Sequence, residues 1–175
     1  MKKKAELIMI TGGQRSGKSS YAQKTALERA TRPIYLATSR VRDNEHKQRI
    51  EKHKLDRGVD FDTIEEEKNI SKYDFFGKVV LIDCITLWLT NFFFDNESDI
   101  EKTLEQAKLE FDTLLQQNAI IILVTNEIGM GGHPTHPIQM KFTDLQGWMN
   151  QHIAALADEV VLMVSGIPVK IKSNK

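Results

Sequence analysis

The sequence predicts an α/β layer fold with a mostly parallel sheet flanked by helices. Short apolar runs alternate with amphipathic helical stretches, and a glycine-rich turn follows the first run. The runs are also nearly continuous in apolar character, as expected of strands covered on both faces by helices. "ELIMIT" at 6–11 is the first candidate strand, followed by "PIYLAT" at 33–38, "KVVLID" at 78–83, "AIIILVT" at 119–125 and "EVVLMV" at 159–164. Helical patterns near 18–30, 43–56, 99–117 and 139–157 fill the intervals. After the fifth strand, "SGIPVKIK" turns at a Ser-Gly pair into a C-terminal antiparallel edge strand, where Pro168 and the lysines Lys170 and Lys172 suit an open edge.

Composition narrows the function. A chain of 175 residues fits one domain, here 1–175, with no repeat, low-complexity tract or long linker to divide it. Its 24 basic and 24 acidic residues cancel, which argues against a surface that holds nucleic acid by bulk charge. The lone Cys84 can form no internal disulfide and no cysteine-rich metal site, in keeping with a reducing cytoplasm. The N-terminal stretch has about five apolar residues before its glycines, too few for a signal-peptide core. No run approaches the roughly 20 apolar residues of a membrane span, so a cytoplasmic protein is expected.

The glycine-rich turn carries the most specific chemistry. Gly12, four further residues, then Gly17, Lys18 and Ser19 match the P-loop pattern between a strand and a helix. Such a loop, here Gly12, Gly13, Gln14, Arg15, Ser16, Gly17, Lys18 and Ser19, turns backbone N–H groups toward phosphate oxygens at the positive end of a helix. Lys18 is placed to reach the β- and γ-phosphates, and the Ser19 hydroxyl to ligate Mg²⁺. Asp83, ending a second buried-type strand, is the candidate acid for that metal, directly or through water. Asn126 and Glu127 follow the fourth run, at the edge where α/β sheets bind ligands. Two roles stay open there: Glu127 orienting a nucleophile or metal, or Asn126 capping a helix.

The 43–57 stretch, "DNEHKQRIEKHKLDR", places His46, Ile50 and His53 on one helical face. Histidines so spaced suit a solvated or structural face, or a nucleophile that takes a nucleotidyl group on neutral imidazole. Zinc is the weaker reading because no partner has a usual ligand spacing. His133 and His136, in "GGHPTHP", fall in a proline-bearing turn near the ligand edge. "WLTNFFF" at 88–94 reads as a buried helix or subunit contact rather than a platform for stacking bases.

Several stretches together resemble one family. "TGGQRSGKS", "YLATS", "RIEKHKLDRGVDFDTIE", "LIDCITLWLTN", "VTNEIGMG" and "NQHIAALADEVVLMVSGIPVKIK" run in the order of the bifunctional adenosylcobinamide kinase and adenosylcobinamide-phosphate guanylyltransferase of cobalamin synthesis. The resemblance implies a RecA-like P-loop domain, a ring-like homotrimer, Mg²⁺, and GTP and ATP as substrates. It implies phosphorylation of adenosylcobinamide, then transfer of GMP from GTP through an enzyme histidine to give adenosylcobinamide-GDP. That histidine lies four residues after the arginine of an Arg-Ile pair, here Arg49 and Ile50, which makes it His53. Ala37, Thr38, Ser39, Lys54, Arg57 and Glu65 stand at positions implied to contact the guanine nucleotide. The resemblance also sets arginines where this chain has Thr143 and Trp148. Their loss would remove bidentate phosphate contacts, with His133, His136 and Lys141 as candidate substitutes. A kinase without guanylyl transfer, a RecA-like nucleic-acid ATPase and a nucleotide-sensing switch are the rival expectations.

Overall fold

The structure, a computed structural model, describes residues 4–40, 59–132 and 134–174. Its strands are β1 (Glu6–Gly12), β2 (Ile34–Ala37), β3 (Asp62–Glu65), β4 (Val79–Asp83), β5 (Ile120–Val124), β6 (Glu159–Val164) and β7 (Ile167–Ser173). They form one sheet in the order β3-β2-β4-β5-β1-β6-β7, parallel throughout except for β7, which runs antiparallel to β6. The expected strands and edge strand are all present. β3 is additional: "DTIE" has two acids and no apolar run, and it pairs only with β2 at the sheet margin, so composition does not mark it.

Four α-helices lie among the described residues: α1 (Lys18–Leu27), α2 (Ile85–Asp95), α3 (Ile100–Leu114) and α4 (Pro137–Leu156). α3 buries Thr103, Ala107, Phe111 and Leu114, the i, i+4, i+8, i+11 stripe of an amphipathic helix, and Asp99 caps it by accepting from the Lys102 N–H at 3.0 Å. α4 starts with Pro137 in its first turn, where no N–H is needed, behind His136 as its cap. α2 is apolar nearly all round because it is buried on most sides, Trp88, Phe92 and Phe93 included; the "WLTNFFF" stretch is indeed a buried helix.

Each central strand feeds two cores. Ile8, Ile10, Leu81, Ile122 and Val124 pack toward α1. Their alternating neighbours Leu7, Met9, Val80, Ile82, Ile121 and Leu123 pack with α2, α3 and α4. Two-sided burial explains the continuous apolar runs. The stretch 43–56, with His46, His53 and Lys54, then Arg57, and also His133, lies outside the described residues.

Candidate functional site

The parallel strands deliver their C-terminal ends to one edge, where α/β sheets bind ligands. β5 stands between the P-loop strand β1 and the acid-bearing strand β4, so the P-loop and Asp83 face each other across one intervening strand. Glu127, just past β5, donates its N–H to the Gly12 carbonyl at 3.0 Å and ties that strand to the loop.

The loop's shape depends on glycine at both ends. Gly12 has φ +149°, and a Cβ there would sit 2.5 Å from the Met163 carbonyl oxygen. Gly17, at φ +92°, caps α1, and its Cβ would lie 3.2 Å from the Gly166 Cα. The β6–β7 turn thus packs against the loop, and the Gly166 N–H donates to the Ser16 carbonyl at 3.0 Å. Ser16 in turn donates its N–H to the Gly13 carbonyl at 3.3 Å. Gly13, Gln14 and Arg15 stay exposed at the loop's crest, Arg15 in the left-handed region at φ 56°.

Lys18 lies under this crest, 6% exposed, with Nζ 2.5 Å from the Gly13 carbonyl and 3.5 Å from Ser16 Oγ. Burial pushes its pKa down, and its neighbours Cys84 and Asp83 oppose the shift. Cys84 itself is pushed up to about 12, chiefly by burial and then by Asp83, so it is a neutral thiol at working pH. Asp83 is half-buried, and its Oδ2 accepts from the Tyr35 hydroxyl at 2.7 Å.

The residues expected around the guanine nucleotide divide by location. Ala37, Thr38, Ser39, Glu65 and Asp83 come together at this edge, because β2 and β3 end in register at Ala37 and Glu65, and β2 and β4 at Ala37 and Asp83. Thr38 is fully buried and donates its hydroxyl to the Cys84 carbonyl at 2.7 Å, so its side chain holds the strand ends together. Asn126 is not a helix cap: a short 3-10 turn, Gly129–Gly131, follows with Ile128 at its start. Instead the Asn126 N–H donates to Thr86 Oγ1 at 3.0 Å, and its carbonyl accepts from Asn150 Nδ2 at 3.1 Å.

Sequence reasoning missed a buried polar network beneath this edge. Thr125 Oγ1 donates to Asn150 Oδ1 at 2.8 Å, and Gln146 Nε2 donates to both, at 3.0 and 2.9 Å. Gln146 and Asn150 are one helical turn apart on α4, and a polar i, i+4 pair in an otherwise apolar face was the available signal. A second missed cluster holds the chain where it leaves β2. Arg40 grips the Asp95 carboxylate with two N–H donors at 2.7 and 3.0 Å and reaches Glu67 at 2.6 Å, while Lys68 reaches Asp95 at 3.0 Å. These cations hold Asp95 well below the usual carboxylate range.

Hard-oxygen donors, the Ser19 hydroxyl and the Asp83 carboxylate, fit a magnesium ion that takes its other ligands from phosphate and water. Among the described residues no group of three or more His, Cys, Asp or Glu could hold a metal ion.

The model for the family described as cobinamide kinase / cobinamide phosphate guanyltransferase matches residues 8–171. The chain belongs to that family. It is 37% identical to the bifunctional adenosylcobalamin biosynthesis protein CobU of Escherichia coli K12 over 95% of this chain and 99% of that protein. The protein of the same name from Salmonella typhimurium is 36% identical, with 95% and 99% covered. The bifunctional adenosylcobalamin biosynthesis protein CobP of Pseudomonas aeruginosa is 34% identical, with 95% and 97% covered. The crystal structure of the flagellar accessory protein FlaH from Methanocaldococcus jannaschii superposes with a TM-score of 0.50 at 18% identity, covering 96% of this chain and 78% of that one, a likeness of fold.

Membership makes this chain a transferase, and its P-loop joins β1 to α1 at the edge of a mostly parallel sheet. Of the two positions where the resemblance implies arginine, Thr143 donates its hydroxyl to its own helix at the Gln139 carbonyl, 2.9 Å away, and Trp148 is exposed. His136 and Lys141 stand at the start of α4. His136 borders an apolar cavity of about 430 Å³ with Thr90, Phe93, Phe94, Ile138 and Phe142, and Lys141 borders a polar one of about 680 Å³ beside Asp95–Lys102.

Proposed function

We propose that this chain phosphorylates the aminopropanol hydroxyl of adenosylcobinamide from a nucleoside triphosphate, then transfers GMP from GTP through His53 to the new phosphate. Support comes from a P-loop and an acid meeting at one sheet edge in a chain that matches the family over 8–171. In the first step the substrate hydroxyl oxygen attacks the γ-phosphorus and a nucleoside diphosphate leaves. Loop amides and the buried Lys18 ammonium stabilise the charge on the transferring group, and positioning carries most of the rate. In the second step an imidazole nitrogen of His53 attacks the α-phosphorus of GTP and pyrophosphate leaves. The cobinamide phosphate oxygen then displaces the histidine. Ser19 and Asp83 would hold Mg²⁺, which when bound would supply neutralisation of phosphate charge.

Ala37, Ser39, Glu65, Lys54 and Arg57 are proposed to bind the guanine nucleotide, with ATP or GTP as phosphoryl donor. We propose one domain over 1–175, assembled as a homotrimer; an exposed apolar row on the outer strands, Val164, Ile167, Val169 and Ile171, supports self-association. A cytoplasmic location agrees with the finding that no helix among the described residues is long and apolar enough to cross a membrane. The balanced charge favours small-molecule partners over nucleic acid. Kinase activity alone is the second reading, favoured by Thr143 and Trp148 in place of arginines.

Incubation with Mg²⁺ and GTP labelled on the α-phosphate tests the division of labour. Acid-labile, alkali-stable label is expected on wild type and absent from His53→Ala, which keeps the kinase step. Absence of label from wild type, with γ-phosphate still passing to cobinamide, would leave the kinase alone. Loss of both activities in a folded His53→Ala would overturn the assignment of separate steps.

A further inference from the structure

Tyr35 lies in the middle of β2, 3% exposed, with its ring edge-on to Phe61 at 5.7 Å between centroids and an interplanar angle of 90°. A buried phenol needs a partner for its hydroxyl. Here the hydroxyl donates to the side chain of Asp83, 48 residues away, at 2.7 Å. We infer that Tyr35 is a positioning residue for the metal–nucleotide end of the site, acting through the Asp83 carboxylate; this rests on the reading of Asp83 as the acid that serves Mg²⁺.

The physical case is one of orientation. An aspartate at a strand end rotates about two side-chain bonds, and an ionised carboxylate offers about four lone-pair sites on two oxygens. Tyr35 occupies one of them on Oδ2 from a rigid position, since its own ring is packed against Phe61 and its strand is bonded on both sides, to β3 and β4. One carboxylate oxygen is thereby anchored and rotation of the group restricted, at an edge where the Lys18 ammonium already feels the Asp83 charge. Partners that orient a metal-serving carboxylate typically change metal affinity or activity by about 10- to 100-fold when removed. The site here is open and shares its metal with phosphates, so the low end of that range, about tenfold, is expected.

Tyr35→Phe removes the hydroxyl and keeps the ring. The readout is the affinity of Mn²⁺, measured by electron paramagnetic resonance, for protein saturated with a non-hydrolysable GTP analogue, in four proteins: wild type, Tyr35→Phe, Asp83→Asn and the double variant. Tyr35→Phe is expected to weaken Mn²⁺ binding about tenfold in the wild-type background and to add less than twofold once Asp83 is already asparagine. Phe61→Leu, which keeps the hydroxyl but loosens the ring that aims it, is expected to weaken Mn²⁺ binding by less than Tyr35→Phe does, because the hydrogen bond to Asp83 survives. Unchanged Mn²⁺ affinity in Tyr35→Phe, beside a clear loss in Asp83→Asn, would overturn the role of Tyr35 and leave that of Asp83 standing. An equal loss on adding Tyr35→Phe to either background would also overturn it, because Tyr35 would then act by another route. No loss in Asp83→Asn would overturn the reading of Asp83 and the inference with it.

Discussion

The two flanks of the nucleotide edge are built by different means. On the β1 side the P-loop is braced by backbone: Gly12 under the Met163 carbonyl, Gly17 against Gly166, and the Gly166 N–H on the Ser16 carbonyl. On the β4–β5 side the strand ends are held by side chains: Tyr35 on Asp83, Thr38 on Cys84, Thr86 on Asn126, and the Thr125–Gln146–Asn150 network beneath. Backbone against backbone leaves no room to yield, since neither partner can change rotamer. Side-chain bonds can be lost one at a time. The first flank should therefore fail sharply under substitution and the second by degrees.

The sharpest break should come from Gly12→Ala. The new Cβ meets a carbonyl oxygen at 2.5 Å in a backbone region that L-residues rarely adopt. Strain of about 1–3 kcal/mol and overpacking of similar size predict about 2–5 kcal/mol lost from stability. Urea unfolding measures this, and nucleotide titration should show affinity falling steeply as well, because the distorted segment is the loop whose N–H groups would meet the phosphates. A cost under about 1 kcal/mol would mean that the β6–β7 turn gives way, and the contrast between flanks would collapse.

On the other flank, Asn150→Ala takes away one donor and one acceptor together, leaving the Thr125 hydroxyl, the Gln146 amide and the Asn126 carbonyl short of partners. Unsatisfied buried polar groups cost about 1–3 kcal/mol each, but the site becomes wider and water can enter, so about 2–3 kcal/mol in total is expected. Nucleotide affinity should fall only a few-fold, because the network touches the site through Asn126 alone. A loss of binding as steep as that of Gly12→Ala would show that the side-chain flank is as rigid as the other.

The same division decides how much the sequence revealed. Backbone-built features have residue signatures, since a close approach at positive φ calls for glycine; hence the P-loop, its strand and its helix are legible in "TGGQRSGKS". The two-sided strands are legible because burial on both faces leaves continuous apolar runs. Side-chain holds are not: nothing local says that Tyr35 will meet Asp83 or that Asn150 will meet Thr125, because parallel pairing of β2 with β4 and packing of α4 on the sheet bring them together from far along the chain. β3 is invisible for the complementary reason, as an exposed edge strand needs no apolar residues to pair with β2. A cap at Asn126 stays open in the sequence as one of two roles because its residue type fits one, yet the 3-10 turn that follows is capped by Ile128. The family resemblance supplied what local physics could not, the link between the P-loop and a corrinoid acceptor.

The smallest expected effect sharpens the comparison most, because it couples the two flanks. In its proposed role Lys18 serves the phosphates only as an ammonium, so affinity for nucleotide should fall as pH rises through its pKa. Burial lowers that pKa below 10.5, which brings the alkaline loss to lower pH than for a free lysine. Two neighbours oppose the lowering, Cys84 and Asp83, but the Cys84 thiol ionises only near 12 and is neutral where Lys18 titrates. Asp83 therefore supplies the counter-charge in that range, across one strand from the loop. Asp83→Asn should move the alkaline fall to lower pH, by about one unit or less given a solvent-accessible edge, while Cys84→Ser should leave it in place. Titrating GTP binding in chelator between pH 7 and 10.5 isolates this from any metal effect. A fall that stays where it was in Asp83→Asn would mean the two flanks are electrostatically independent.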